Sequence, residues 1–286
     1  MQACLTLKNK KERPILQRHH WIYSGAVASF PNGDLAEVRS AQGNKLGLAL
    51  LNKGQSIAAH MIAFGEETLE EALKSRIASA AALRQHCFDP TQTNAVRLIN
   101  AEGDGIPGLI VDAYADLLVC QISHPAIEKI KIQIISLLNE QFKPRALYEK
   151  STSSLRKKEG LGEKRGFCFG ESDPEVEILE NGLKFSVDIV TGQKTGLFLD
   201  QREMRSLVRE LAKNRRVLNG FAYTGGFTIA ALAGGATSVD SVEVSSRCRP
   251  RLEKNLELNG LDSSRHRFFE VDMFEYLQTS DLSYDL

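Results

Sequence analysis

The stretch from Arg216 to Ala236, RVLNGFAYTGGFTIAALAGGA, constrains what this chain can fold into more than any other. A short apolar run (Val217, Leu218) enters a turn carrying Gly220, Gly225 and Gly226, and a helix of small residues, Phe227 to Leu232, leaves it. Strand, glycine loop and helix follow in that order. Glycine accepts positive φ and has no Cβ, so a ligand can lie on the main chain at the helix start. The next apolar run, Val239 to Val244, carries Glu243 near its end. In doubly wound sheets a carboxylate there grips a ribose, its two acceptor oxygens matching two vicinal hydroxyl donors. The stretch therefore predicts a site for a nucleoside-containing cofactor.

The surrounding pattern supports a parallel sheet. Strands are expected over Val217 to Phe221, Ser238 to Val244 and Arg267 to Val271, with helices over Phe227 to Leu232 and Arg251 to Asn259. Such alternation implies right-handed crossovers and an α/β domain. The loop reads Gly220-Phe221-Ala222-Tyr223-Thr224-Gly225-Gly226, not G-x-G-x-x-G. A dinucleotide needs that spacing to seat its pyrophosphate on the helix N-terminus. A nicotinamide-dependent oxidoreductase is thereby disfavoured, and S-adenosylmethionine, which has no phosphate, suits the looser loop. Upstream, Gly192-Gln193-Lys194-Thr195-Gly196 invites a P-loop reading, but G-x-x-x-x-G-K-[ST] and a preceding buried strand are both missing. Nucleotide hydrolysis is rejected.

With 286 residues the chain should form two or three domains. Its apolar share of 42% and charged share of 25% are those of an ordinary globular protein, and its formal net charge is zero. Any basic footprint for nucleic acid must then be local. Five cysteines, widely spaced and without a C-x-x-C pair, point to reduced thiols rather than a disulfide framework or a zinc site. The first residues lack a signal-peptide core and no apolar run is long enough to span a bilayer, so no membrane partner and a cytoplasmic location are expected.

Along the chain, Lys8, Lys10, Lys11, Arg13 and Arg18 form a basic opening. Strands then alternate with turns: Ala36 to Val38, Leu46 to Leu51 and Ile57 to Ile62. On composition alone this small all-β module reads as a structural cap with Trp21 in its core. Thr68 and Glu71 have capping-box spacing and open a helix to about His86, with Leu69, Ala72, Leu73, Ile77 and Ala80 on one stripe. Glu102 and Asp104, in a glycine-rich loop, read as solvated carboxylates. A strand over Leu117 to Ile122, a helix from about Pro125 to Phe142 and a strand at Ala146 to Lys150 follow. The cation cluster Arg156-Lys157-Lys158 reads as solvated surface or, in a nucleic-acid enzyme, as a phosphate contact. Asn181-Gly182 between two apolar runs predicts a hairpin. Asp200 is placed to cap a helix bearing Met204, Leu207, Val208 and Leu211.

Several segments together resemble a family of bacterial ribosomal RNA methyltransferases with a PUA domain at the front. Arg18-His19-His20-Trp21-Ile22-Tyr23-Ser24-Gly25-Ala26-Val27 resembles its R-H-P-W-[VI]-[FY]-S-G-A-[VI], with His20 in place of proline. Arg97 to Leu109 is similar to R-L-[IV]-x-x-E-x-D-G-[LI]-P-G-L, and Arg156 to Gly160 to R-K-x-E-G, although Lys150 and Thr152 replace arginine and aspartate in the segment before it. Gly192 to Arg202 is similar to G-x-K-T-G-[YF]-[YF]-L-D-Q-R, and Val217 to Phe227 to V-L-N-x-F-x-Y-T-G-G-F, the first motif of class I methyltransferases.

The resemblance implies a multidomain α/β protein: a β-barrel-like PUA module over residues 1–66, a central α+β domain over 67–174 and a Rossmann-like class I methyltransferase domain, incomplete, over 175–286. It implies S-adenosylmethionine as cofactor and ribosomal RNA as partner, with 5-methylcytosine in large-subunit RNA as product and a homodimer as a possible assembly. Its cofactor contacts would be Phe221, Ala222, Tyr223, Thr224 and Gly225 of the loop, Glu243 on the ribose and Asp272 on the adenine amino group. Lys194, Thr195, Asp200 and Gln201 would contact cofactor or target base. Arg247, Arg249, Arg251 and Pro250 stand where the family has apolar residues, so the second helix is expected to start late or to pack differently. Methylating carbon 5 of a pyrimidine requires a thiolate nucleophile. No cysteine here aligns with the family's, and Cys248 is not promoted to that role. The family continues after its fourth strand, begun here by Tyr284-Asp285-Leu286, into D-P-P and a cysteine motif. A fragment or truncated reading frame with a marginal cofactor domain is therefore expected, catalytic residues being unassigned. The rival reading is an RNA-binding protein without methyltransferase activity.

Overall fold

The computed structural model describes residues 3–286. They divide into two compact units, one running to Cys87 and including Arg97–Ser172, the other comprising Phe88–Val96 and Asp173–Leu286.

The first unit opens with β1 (Cys4–Leu7), a single-turn α1 (Arg13–Leu16), β2 (Trp21–Tyr23), β3 (Val27–Ser29), β4 (Leu35–Arg39), β5 (Lys45–Leu51) and β6 (Ile57–Phe64). They form one curled six-stranded sheet in the order β2-β6-β5-β4-β1-β3. Only β1 and β4 pair in parallel; the other neighbours are antiparallel. Leu5, Leu7, Ile15, Ile22, Val38, Ala49 and Met61 meet in its core. Period-two alternation decides which side chains join them. In β2 it is Ile22 that turns inward, while Trp21 remains 38% and Tyr23 51% exposed. The expectation of a core Trp21 is corrected: on a three-residue edge strand, burying the centre forces both aromatic neighbours outward.

Next come α2 (Leu69–Cys87), β7 (Ala95–Asn100), β8 (Leu109–Tyr114), β9 (Leu117–Ile122), α3 (Pro125–Lys129), α4 (Lys131–Phe142), β10 (Ala146–Ser151), α5 (Ser154–Lys158) and β11 (Lys164–Phe169). The strands lie in the order β11-β10-β9-β8-β7. The capping box forms as expected: Thr68 N donates to Glu71 Oε2 at 2.9 Å and Glu71 N to Thr68 Oγ1 at 3.3 Å. The single helix expected from Pro125 to Phe142 is interrupted at Ile130, whose φ and ψ of −99° and 13° leave the helical basin.

Two charged groups expected in solvent are inside. Asp104 receives both ends of the Arg84 guanidinium at 2.5 and 2.7 Å and the Asn100 N–H at 2.6 Å. Arg156 is 1% exposed and donates to the Ile122 carbonyl at 2.8 Å, the Gly162 carbonyl and Glu128 Oε2 at 2.7 Å. Of the expected surface cluster only Lys157 and Lys158 remain outside. Sequence spacing carries no information about which of three adjacent cations will find carbonyl acceptors.

The second unit begins with the hairpin β12 (Glu175–Glu180) and β13 (Leu183–Asp188). Asn181 and Gly182 both take positive φ, 50° and 77°, as a type I′ turn requires. After α6 (Arg202–Leu211) the chain continues through β14 (Arg216–Gly220), α7 (Gly226–Ala233), β15 (Ser238–Val242), α8 (Arg249–Leu258), β16 (His266–Phe269) and α9 (Met273–Thr279). The sheet is parallel in the order β14-β15-β16. Along the free side of β14, Leu286 N donates to Arg216 O at 3.4 Å and Leu218 N to Leu286 O at 2.9 Å, the bonding of a parallel neighbour.

Two helices depart from expectation. Helix α8 does not start late, because Pro250 falls in its first turn, where its missing N–H costs nothing. Helix α6 is turned over: Arg202 and Arg205 are buried, while Met204, Leu207 and Leu211 are 41–50% exposed. The cause is Glu180, 3% exposed, which binds Arg205 at 2.6 Å through both oxygens. A buried carboxylate left unpaired would cost several kcal/mol, more than covering the leucines would return.

Candidate cofactor site

The site lies where the parallel strands end. Past β14 the backbone winds through Phe221 and Tyr223, both at positive φ (55° and 49°), to Gly225 at 82°. Gly225 has to be glycine: a Cβ there would stand 2.5 Å from Leu252 Cγ in α8. Gly220 is equally constrained, since a Cβ would meet Met273 Sδ at 2.9 Å. The loop is thus pressed between the starts of α8 and α9.

Each residue of the loop has a distinct anchor. Ala222 is buried, its N–H on the Val242 carbonyl at 3.0 Å. Thr224 is buried, and its carbonyl accepts from Asn255 Nδ2 at 3.0 Å. Phe221 is 67% exposed and meets Phe274 edge-on at 6.1 Å between centroids. Glu243, half-buried just after β15, accepts the Tyr223 N–H on Oε2 at 2.9 Å and the Ser245 N–H on Oε1 at 3.0 Å. It braces the loop while each oxygen retains a further lone pair for a hydroxyl.

Asp272 follows β16 and caps α9, its Oδ1 accepting from Phe274 N at 2.8 Å and Glu275 N at 3.2 Å. The short strand β16 thus runs on to a helix start that Asp272 holds.

The element Gly192 to Arg202 is fastened to the loop by one side chain. The Tyr223 hydroxyl accepts the Gln193 N–H at 2.8 Å and donates to the Gly196 carbonyl at 3.1 Å, while its ring meets Phe198 edge-on at 5.7 Å. Burial pushes the Tyr223 phenol upward, so it stays a neutral donor. Lys194 binds both oxygens of Asp200, at 3.0 and 2.8 Å, and its ammonium sits 4.4 Å from the Phe198 ring centre. The N-cap position of α6 falls to Gln201, which makes no side-chain cap bond, one residue past Asp200. Thr195 is buried.

Three buried contributors were not expected from the sequence. Asn255, 1% exposed, joins the Ser186 N–H (2.7 Å) to the Thr224 carbonyl and so ties the hairpin to the loop. Its signal was a polar residue on the apolar stripe of Leu252 and Leu256. Asn219, Thr228, Ser241 and His266 form a second buried chain at 2.9, 2.6 and 2.9 Å beneath the loop. Burial holds the His266 imidazole below its ordinary value, hence neutral. The third, the Arg205–Glu180 pair, also reaches the Phe198 carbonyl at 3.0 Å.

The chemistry of the donor set fits S-adenosylmethionine. Glu243, Asp272 and Asp200 surround the loop, and the nearby cation Lys194 is paired. Such a site repels a pyrophosphate and favours a sulfonium, with acceptors for hydroxyls and an exposed aromatic pair for a base. Cys248 is buried and its thiol is pushed up by that burial, which suits no nucleophile. All five cysteines are free. Among the described residues no helix is long and apolar enough to cross a membrane, and no cluster of metal-binding side chains occurs.

Known proteins match this architecture. A family model of S-adenosylmethionine-dependent methyltransferases matches residues 162–282, and a PUA-like domain model matches residues 5–64. Two proteins named ribosomal RNA large subunit methyltransferase I, from Tolumonas auensis and Vibrio vulnificus, are each 37% identical over 97% of this chain and 72% of their own length. A solved structure from Streptococcus mutans, described as a SAM-dependent methyltransferase, superposes with a TM-score of 0.82 at 26% identity, covering 99% of this chain and 75% of that one. A second, a methyltransferase in complex with SAH, gives 0.83 at 26% identity over 99% and 74%.

Proposed function

This chain belongs to the ribosomal RNA large subunit methyltransferase I family, and we propose that it uses S-adenosylmethionine to form 5-methylcytosine in large-subunit ribosomal RNA. The observation that carries the reading is the glycine loop braced by Glu243 and covered by the Gly192 to Arg202 element through Tyr223. When bound, the cofactor supplies an electrophilic methyl on its sulfonium. Around it, Phe221 to Gly225 provide the main-chain floor, Glu243 accepts from the ribose hydroxyls, and Asp272 with the Phe221–Phe274 pair receives the adenine. Lys194, Thr195, Asp200 and Gln201 face cofactor or target base. No nucleophile is assigned.

Within this reading, residues 1–66 form the RNA-positioning module, 67–174 a central domain and 175–286 the cofactor domain. The exposed rings of Trp21 and Tyr23 support RNA contact, since unpaired bases stack on such faces. The location is cytoplasmic, where ribosomes are made. The assembly is a homodimer in which the exposed Met204, Leu207 and Leu211 stripe is covered, and light scattering giving a monomer mass rejects it.

The decisive experiment is mass spectrometry of ribosomal RNA from cells lacking the gene. Loss of one 5-methylcytosine is expected, and an unchanged 5-methylcytosine content sinks the activity. Calorimetry with SAH tests the cofactor site separately.

A further inference from the structure

In the first unit, a cleft of 380 Å³ lies between β6, α2 and the loop after β7, lined by Arg18, His20, Phe64, Arg76 and Gly105 among others. Its charges are unevenly settled. Arg84 and Asp104 neutralise one another in a two-point pair. Arg76 differs: its Nη1 is buried without a hydrogen-bond partner, and its side chain makes no ion pair among the described residues. The guanidinium passes over Gly105, where a Cβ would stand 2.8 Å from Nε. Glycine at φ 72° thus keeps the room that this side chain occupies.

A second guanidinium, Arg18, faces the same space. It lies 5.4 Å above the Phe64 ring, its own backbone at positive φ (62°). Burial is the main cost of the Arg76 charge; Glu67 offsets part of it and Arg18 adds to it. His20 meets the same ring edge-on at 5.2 Å and donates its Nδ1–H to the Met61 carbonyl, 3.1 Å away, so the neutral ring has no second N–H to offer an anion. Glu102 also lines the cleft but is exposed. A half-buried arginine with an unpartnered Nη1 beside a second guanidinium leaves a place for an anion that joins them.

We propose that this cleft binds a phosphate group between Arg76 and Arg18. Two guanidiniums match the tetrahedral oxygens of a phosphate and bind it with charge-assisted bonds. The source that fits the proposed function is a backbone phosphodiester of the RNA, and only that choice of source rests on the proposed function; a free phosphate is the other source.

The full chain and its Arg76→Gln and Arg18→Gln variants test this. Melting is compared in inorganic phosphate and in chloride at equal ionic strength, and a polyuridine oligonucleotide is titrated by fluorescence anisotropy over a salt series. Phosphate should raise the parent's melting temperature beyond chloride, and each variant should lose that excess. Without phosphate, Arg76→Gln should melt no lower than the parent, having lost an unpaired charge. If the ligand is RNA backbone, each variant binds the oligonucleotide about five- to tenfold more weakly, with a salt slope smaller by about 1. If the melting effect is present and the oligonucleotide slope is unchanged, a free phosphate is the ligand. Parent-like phosphate response and parent-like slope in both variants overturn the site. SAH calorimetry on the same samples keeps a failure of this cleft distinct from a failure of the methyltransferase reading.

Discussion

Replacing Glu243 with glutamine tests whether one carboxylate both braces the glycine loop and holds the cofactor. In the native protein its two oxygens accept the Tyr223 and Ser245 N–H groups at 2.9 and 3.0 Å. The amide keeps one acceptor and presents an NH2 to the other N–H, leaving a half-buried donor without its partner. That costs about 1–3 kcal/mol of local stability. A ribose diol loses in addition a charge-assisted bond, about 1.5–3 kcal/mol against about 1 for a neutral one. The net loss in binding, about 1–2 kcal/mol from the diol plus part of the loop's disorder, corresponds to roughly ten- to a hundredfold weaker SAH. Isothermal calorimetry reads this directly, and exchange of the Tyr223 and Ser245 amides reads the brace. SAH affinity within twofold of the parent, with both amides exchanging faster, would leave Glu243 a purely structural group. Unchanged affinity and unchanged exchange would refute the reasoning entirely.

Three further outcomes follow from the packing. Arg156→Met should cost about 3–5 kcal/mol in urea unfolding, because it strips a buried charge from Glu128 and two carbonyls, whereas Lys157→Ala should stay within about 0.5 kcal/mol. Gly225→Ala combines positive φ with a clash on Leu252, roughly 1–3 kcal/mol from each, and adding Leu252→Ala should relieve the clash but not the backbone strain, as melting temperatures would show. His124 is held at about 4 by burial, beside His60, so the folded state prefers it neutral. Its contribution is fully present above about 6.5, the unfolded value, and is lost as pH falls from there towards 4. Urea melts near pH 5 should read about 2 kcal/mol lower than near pH 7 on this account. His124→Asn, which can still cap α3 through the Ala126 N–H, should flatten that dependence.

Much of the fold was legible because its signals are local. The Asn181-Gly182 turn, the Thr68–Glu71 box and the strand–loop–helix of Arg216 to Ala236 depend on residues a few positions apart, and each forms where expected. Spacing in the sequence also located Glu243 directly after one strand and Asp272 at the helix start that follows its neighbour, Glu243 N reaching the Phe269 carbonyl at 3.0 Å. Motif and period therefore determined, by themselves, the α/β character of the cofactor unit, its glycine loop and the kind of cofactor suited to it.

Only the tertiary structure decided which polar groups are buried and with whom. Arg156 was indistinguishable from Lys157 until three acceptors from separate strands, helices and loops closed on it. Helix α6 presents its arginines inward because Glu180 waits on the hairpin, 25 residues earlier for Arg205. Tyr223 looked like one more loop residue, yet its hydroxyl joins two elements 27 to 30 residues apart. Burial free energy depends on partners brought together by the fold, and a one-dimensional pattern records a residue's own polarity but not the groups that will satisfy it.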